Sequence, residues 1–161
     1  RALVRPESLD VLGGRLEAWE IAKELADDRP FFGYGFGTEE IIFPYFRYKF
    51  QRHSGAYVHN SFLGLALQLG WVAAIIFYLA FIIFLIRSYI KLSKLKGEFQ
   101  PLTVALYSSV LSGFLTTFFE SWLYAVGGIM SFTFFCCLML LIRLLDFQKA
   151  AIQSTHVRNL R

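Results

Sequence analysis

From Ser61 to Ile86 the chain runs 26 residues without a charged side chain, and His59-Asn60 stands directly before that run. A membrane-spanning helix needs about 20 consecutive apolar residues, so this stretch is long enough to cross a bilayer with tilt or to continue past the lipid. The imidazole at its mouth falls where water meets bilayer, within reach of a lipid-borne substrate. With 56% hydrophobic and 17% charged residues, the chain also exceeds what a soluble domain of 161 residues needs for its core.

Two further apolar stretches, about 102–119 and 122–142, flank a turn at Glu120-Ser121. The expected architecture is therefore all-α: three spans at about 61–86, 102–119 and 122–142, preceded by a polar loop over 1–58 and followed by a tail. Residue 1 is Arg, and no charged n-region with a cleavage site follows it, so the chain reads as the C-terminal portion of a longer multi-pass protein.

Charge orients the spans. The connector 87–100 holds Arg87, Lys91, Lys94 and Lys96 against Glu98, and the tail holds Arg143, Lys149, Arg158 and Arg161 against Asp146. Basic loops stay cytoplasmic. Segment 1–58, with eight Lys/Arg against nine Asp/Glu, and the Glu120 turn are then expected on the periplasmic or extracellular side of a cytoplasmic membrane. Trp122 and Tyr124 fit an aromatic belt there. The basic residues report topology, so the pI near 9.2 does not argue for nucleic acid.

In the outer segment, Leu12, Leu16, Trp19, Ala22 and Ala26 recur at spacings of three and four, which predicts an amphipathic helix over about 14–28. Its polar face carries Arg15, Glu17, Glu20, Lys23 and Glu24; Gly14 is a suitable N-cap, and Arg29-Pro30 ends the helix. Glycine then stands at every second position in Phe32-Gly33-Tyr34-Gly35-Phe36-Gly37. A nucleotide fingerprint would need glycine where Thr38 stands, so a structural turn is the better reading. Ten aromatics between Phe31 and Tyr57, interleaved with Arg47, Lys49, Arg52 and His53, suit interface anchoring, with sugar stacking or lipid phosphate contact next.

No metal is expected. His53 and His59 lack a metalloprotease spacing, and the adjacent pairs Asp27-Asp28 and Glu39-Glu40 point their carboxylates apart. Cys136 and Cys137 neighbour each other on an apolar helix, where side chains diverge by about 100°, and are expected as buried, unbridged thiols. Gln68, a polar group inside the first apolar run, faces either a substrate groove or a neighbouring helix.

Chemistry is best carried by Arg15 and His59. A guanidinium presents a planar, permanent charge that matches phosphate oxygens, and an imidazole titrates near neutrality and can accept a proton. Together they suit binding a leaving phosphate and activating an attacking hydroxyl. Arg52 and Arg47 are further phosphate or substrate contacts, and Glu120 is the one carboxylate near the later spans.

Gly14-Arg15 with Trp19, then the alternating glycines, then His59-Asn60 followed by nine residues and Gly70, resembles the C-terminal part of the O-antigen ligase and polymerase family. Ala73 stands where the family has Gly, Thr or Tyr, and Gly14 where a serine is common. The resemblance implies a fragment of a larger GT-C-like helical bundle in the bacterial inner membrane. It also implies a cofactor-free, metal-independent glycosyltransferase of polysaccharide or lipopolysaccharide assembly. The donor would be an undecaprenyl-diphosphate-linked glycan, and the acceptor a glycan, lipid A core or protein. By the same likeness Arg15 grips the diphosphate, His59 activates the acceptor hydroxyl, and Asn60 holds the acceptor sugar or fixes the ring. A small-solute transporter and a noncatalytic membrane scaffold are the rival readings.

Overall fold

The computed structural model describes residues 6–46, 57–95 and 97–159, so Arg47, Lys49, Arg52 and His53 lie outside the described residues. Among the described residues the chain is all-helical, with no strand. Six helices follow in order: α1 (Pro6–Asp28), α2 (Glu39–Tyr45), α3 (Ser61–Leu69), α4 (Trp71–Ser93), α5 (Gln100–Thr116) and α6 (Ile129–Asn159). They divide between two compact units, one of residues 1–80 with 116–124, the other of 81–115 with 125–161.

α1 begins two turns earlier than its apolar periodicity suggests. Pro6 opens it, as a proline without an N–H does at a first helical position, and Gly14 is an internal residue rather than a cap. The helix stops at Asp28, before Arg29-Pro30. The buried stripe is Ala18, Ile21, Ala22, Leu25 and Ala26, whereas Leu16 is 56% exposed. The expected stripe was thus rotated by part of a turn, because small alanines, not the large Leu16, mark where α3 approaches. Ala18, Ile21, Ala22 and Leu25 join Phe43 of α2, Val58 and Leu67 of α3 in the core of the first unit.

The 26-residue uncharged run is two helices, not one. Gly70, at φ 86° and ψ 162°, breaks it between α3 and α4. A Cβ there would overlap the backbone of Pro30 and Phe31, and the next residue, Trp71, donates its N–H to Pro30 O at 2.8 Å. That backbone geometry is essentially glycine-only. α3 is short and largely buried. α4, by contrast, exposes Val72, Ile75, Ile76 and Leu79 along its first turns, as a lipid-facing helix does.

Among the described residues two helices are long and apolar enough to cross a membrane: Trp71–Ser93 and the Ile129–Phe147 part of α6. α5, at 17 residues, is shorter, and the stretch 117–128 between α5 and α6 is non-helical, with Glu120-Ser121 at a turn as the sequence suggests. In the second unit, Phe81 stacks on Phe114 at 4.8 Å between ring centroids and on Phe134 at 5.7 Å. Cys136 and Cys137 are free thiols, but Cys136 is exposed and Cys137 half-buried, so the expectation of buried cysteines fails. An apolar sequence neighbourhood marks lipid-facing positions as readily as core ones.

Candidate functional site

The first unit assembles its polar groups around the start of α3. Asn60 caps that helix: its Oδ1 accepts the Leu63 N–H at 3.0 Å, which occupies one of the four donors a helix leaves open at its start. Immediately before it, His59 adopts φ 52°, the one non-glycine residue with positive φ among those described. A histidine in the left-handed region is uncommon and is held there by its surroundings. Here the holding contacts are Trp19 Nε1 donating to His59 O at 3.4 Å, Asn60 N–H donating to Ser121 Oγ at 3.0 Å, and Ser61 N–H donating to Thr117 O at 2.7 Å.

Arg15 and Trp19 are four residues apart on α1 and so share one face. Trp19 reaches the His59 backbone, while Arg15 reaches the 119–120 turn: Nη2 lies 2.8 Å from Glu120 Oε1 and Nη1 3.5 Å from Phe119 O. The other Glu120 oxygen, Oε2, lies 3.5 Å from His59 Nδ1. One carboxylate therefore touches both the guanidinium and the imidazole. All three side chains are partly open to solvent, at 32% for Arg15, 30% for His59 and 47% for Glu120. A cation, an anion and a titratable ring thus meet at a place open to solvent. The five N–H donors of a guanidinium leave further donors for a phosphate after two contacts.

The turn itself is anchored from below. Ser61 Oγ donates to Glu120 O at 2.6 Å and accepts the Leu123 N–H at 3.3 Å. Tyr78 of α4 donates its hydroxyl to Thr117 Oγ1 at 3.0 Å. The alternating glycines are likewise a structural loop. Tyr34 N–H and Gly35 N–H donate to Leu67 O and Gln68 O at 2.9 and 2.8 Å, filling carbonyls at the C-terminal end of α3. Gly33, at φ 61°, approaches so closely that a Cβ would overlap the Gln68 backbone.

Behind this surface lies a residue that sequence reasoning passed over. Glu39 is 3% exposed and accepts from Val58 N–H at 2.8 Å, from Gln68 Nε2 at 3.2 Å, and from the Tyr124 hydroxyl in a short hydrogen bond. Gln68 in turn accepts the Gly37 N–H at 2.6 Å through Oε1. Burial pushes the Glu39 carboxyl above its ordinary range, opposed by the Tyr124 and Val58 hydrogen bonds, and burial beside Glu39 pushes the Tyr124 phenol up. Glu39 and Glu40 do diverge, since Glu40 is exposed. Tyr124, placed by sequence in an interfacial belt, turns its hydroxyl inward to Glu39 instead. No pattern signal marks Glu39 as buried: the only clue is a carboxylate in the first turn of a short apolar helix beside a glycine loop. Of the two readings for Gln68, the neighbouring helix is the one seen: its amide donates to Glu39 of α2. Among the described residues no group of three His, Cys, Asp or Glu is placed to hold a metal ion.

The described residues form an all-α architecture with two helices long and apolar enough to cross a membrane and an Arg–Glu–His cluster at the head of α3. Residues 7–78 match the family model described as O-antigen ligase, so that part of the chain is similar to that family. The match begins in α1 and ends in α4, and so includes Arg15, Trp19, Glu39, His59 and Gly70. Among curated proteins and among solved structures, none matches the chain.

The interval from His59-Asn60 to Gly70 has a physical explanation. The nine residues between Asn60 and Gly70 are α3 itself, Ser61–Leu69. The motif is a capped helix with His59 at one end and a glycine-only break at the other.

Proposed function

We propose that this chain carries the transfer site of a metal-independent glycosyltransferase that moves or polymerises an undecaprenyl-diphosphate-linked glycan onto an acceptor hydroxyl at the cell surface. The observation that carries the reading is the Glu120 carboxylate in contact with both Arg15 and His59. The superfamily match over α1–α4 supports it.

In this reading His59 presents Nδ1–H to Glu120, which leaves Nε2 to accept the proton of the acceptor hydroxyl. The hydroxyl oxygen forms a bond to the anomeric carbon as the bond from that carbon to the diphosphate breaks, and the diphosphate leaves as an anion held by Arg15. Glu120 stabilises the imidazolium that results and keeps the ring from turning. Asn60 positions His59 by capping α3 and lies beside the acceptor. Arg47 and Arg52 supply further phosphate contacts. Segment 1–58 faces the periplasm or exterior of the inner membrane, and α5 joins α4 and α6 as a third span. Phe31 and Phe32, 69% and 88% exposed beside the first turn of α4, face the lipid interface.

The test is surface glycan in the native host. His59→Ala and Arg15→Ala are each expected to lower glycan output about 10²-fold or more, the lower end of what a positioned base contributes, with membrane insertion unchanged. Normal glycan in both variants overturns the assignment and leaves the transporter and scaffold readings.

A further inference from the structure

We propose that Glu39 is a positioning residue for the imidazole: a buried carboxylate whose hydrogen bonds hold the two chain segments bearing His59 and Glu120 in register. The proposal rests on the transfer-site reading for its functional meaning, but its geometry stands apart from it.

His59 and Glu120 are 61 residues apart in sequence and meet at 3.5 Å, a separation at the limit of a hydrogen bond. Small displacements of either segment decide whether Nδ1 keeps its partner. The polar contacts near the pair, those of the buried Ser61, Asn60 and Thr117, fix the backbone of each segment next to it. Glu39 joins the same two segments from the interior. Its Oε1 accepts from Val58 N–H, one residue before His59, and its Oε2 accepts from the Tyr124 hydroxyl, four residues after Glu120. Gln68 ties the carboxylate to α3 and, through Gly37, to the glycine loop.

The surroundings are built to admit this contact. Gly64 leaves open the space through which Tyr124 reaches Glu39: a Cβ on Gly64 would overlap the Tyr124 hydroxyl and come within 2.9 Å of Glu39 Oε2. A carboxylate is costly to bury, and an apolar residue would fill the same volume without that cost. An acceptor with two oxygens, however, can receive a backbone N–H and a phenol at once, in fixed directions. The strained φ of His59 needs that kind of over-determination to persist.

The experiment reads the ring rather than the product. In the membrane-embedded protein, His53→Gln and His156→Gln leave His59 as the only histidine of the chain, and its ring nitrogens are followed by NMR with labelled histidine. Tyr124→Phe keeps the Glu39 charge and removes one tether; Glu39→Gln removes the charge and reorganises the cluster. Both are expected to move the ring from a single Nδ1-protonated form to a mixture of tautomers and to lower surface glycan about tenfold or more, while helix content is unchanged. Glu39→Asp is expected to restore part of the wild-type ring signature. Unchanged His59 ring signals in folded Tyr124→Phe protein overturn the proposal, and that variant decides the matter if Glu39→Gln does not fold. A His59→Ala protein with normal glycan would instead sink the transfer-site reading, leaving the ring measurement to judge the coupling by itself.

Discussion

The two units of this molecule are held by different physics. In the first, directional bonds join distant parts of the chain: Arg15 to Glu120, Trp19 to His59, Glu39 to Val58 and Tyr124, the glycine loop to α3. In the second, the described contacts are chiefly rings, with Phe81 on Phe114 and Phe134, Tyr89 near Tyr107 and Phe99 edge-on to Phe147. Hydrogen bonds specify angle and partner, so they select one arrangement; apolar contacts in lipid select only fit, because the lipid tails are as apolar as the side chains. A site that must oppose an imidazole and a carboxylate belongs in the first kind of structure. Helices that need only stay in a bilayer belong in the second.

That contrast can be broken by choosing one substitution from each side. Gly70→Val is expected to have the largest effect, because valine would have to adopt a glycine-only conformation while its Cβ overlaps Pro30 and Phe31. Strain and overpacking together amount to roughly 3 kcal/mol or more, read as a lower unfolding midpoint in detergent and lower abundance in the membrane. Phe81→Ala, which removes two stacked contacts in the second unit, is expected to cost about 1 kcal/mol, since lipid fills the space and only ring packing is lost. An equal or larger loss for Phe81→Ala would mean that the second unit is as specifically packed as the first.

The smallest effect is a dependence on pH. Burial raises the Glu39 carboxyl above its ordinary value, so between the ordinary and the raised value the folded protein binds more protons than the unfolded one. Stability from this group is then fully present below the ordinary carboxyl value and declines as pH rises through the raised one. Unfolding midpoints measured across the mildly acidic range should fall with rising pH in the wild type and show a flatter dependence in Glu39→Gln. A slope that survives unchanged in Glu39→Gln would assign it to other groups.

Much of the architecture follows from local chemistry. The uncharged run, the basic connectors, the stop at Arg29-Pro30 and the turn at Glu120-Ser121 are all written in residue type and order, because hydropathy and proline geometry act over a few residues wherever they occur. The capping role of Asn60 and the nine-residue interval to Gly70 are local too, once the interval is recognised as one short helix. Periodicity nevertheless misplaced the α1 stripe at Leu16 and joined α3 to α4, since an apolar pattern does not say whether its partner is protein or lipid, and a glycine does not say whether another backbone lies against it.

What only the tertiary structure decided is which charges meet. Arg15, His59 and Glu120 come from α1, the start of α3 and the turn before α6, and nothing in their separate neighbourhoods specifies a common carboxylate. Glu39 looks like a surface acid beside Glu40, yet it is the more deeply buried of the two. Residue order determines the helices and where they can lie, because those depend on short-range sterics and solvation. The pairing of a carboxylate with its distant donors depends on how the chain closes in space, and that is a property of the fold as a whole.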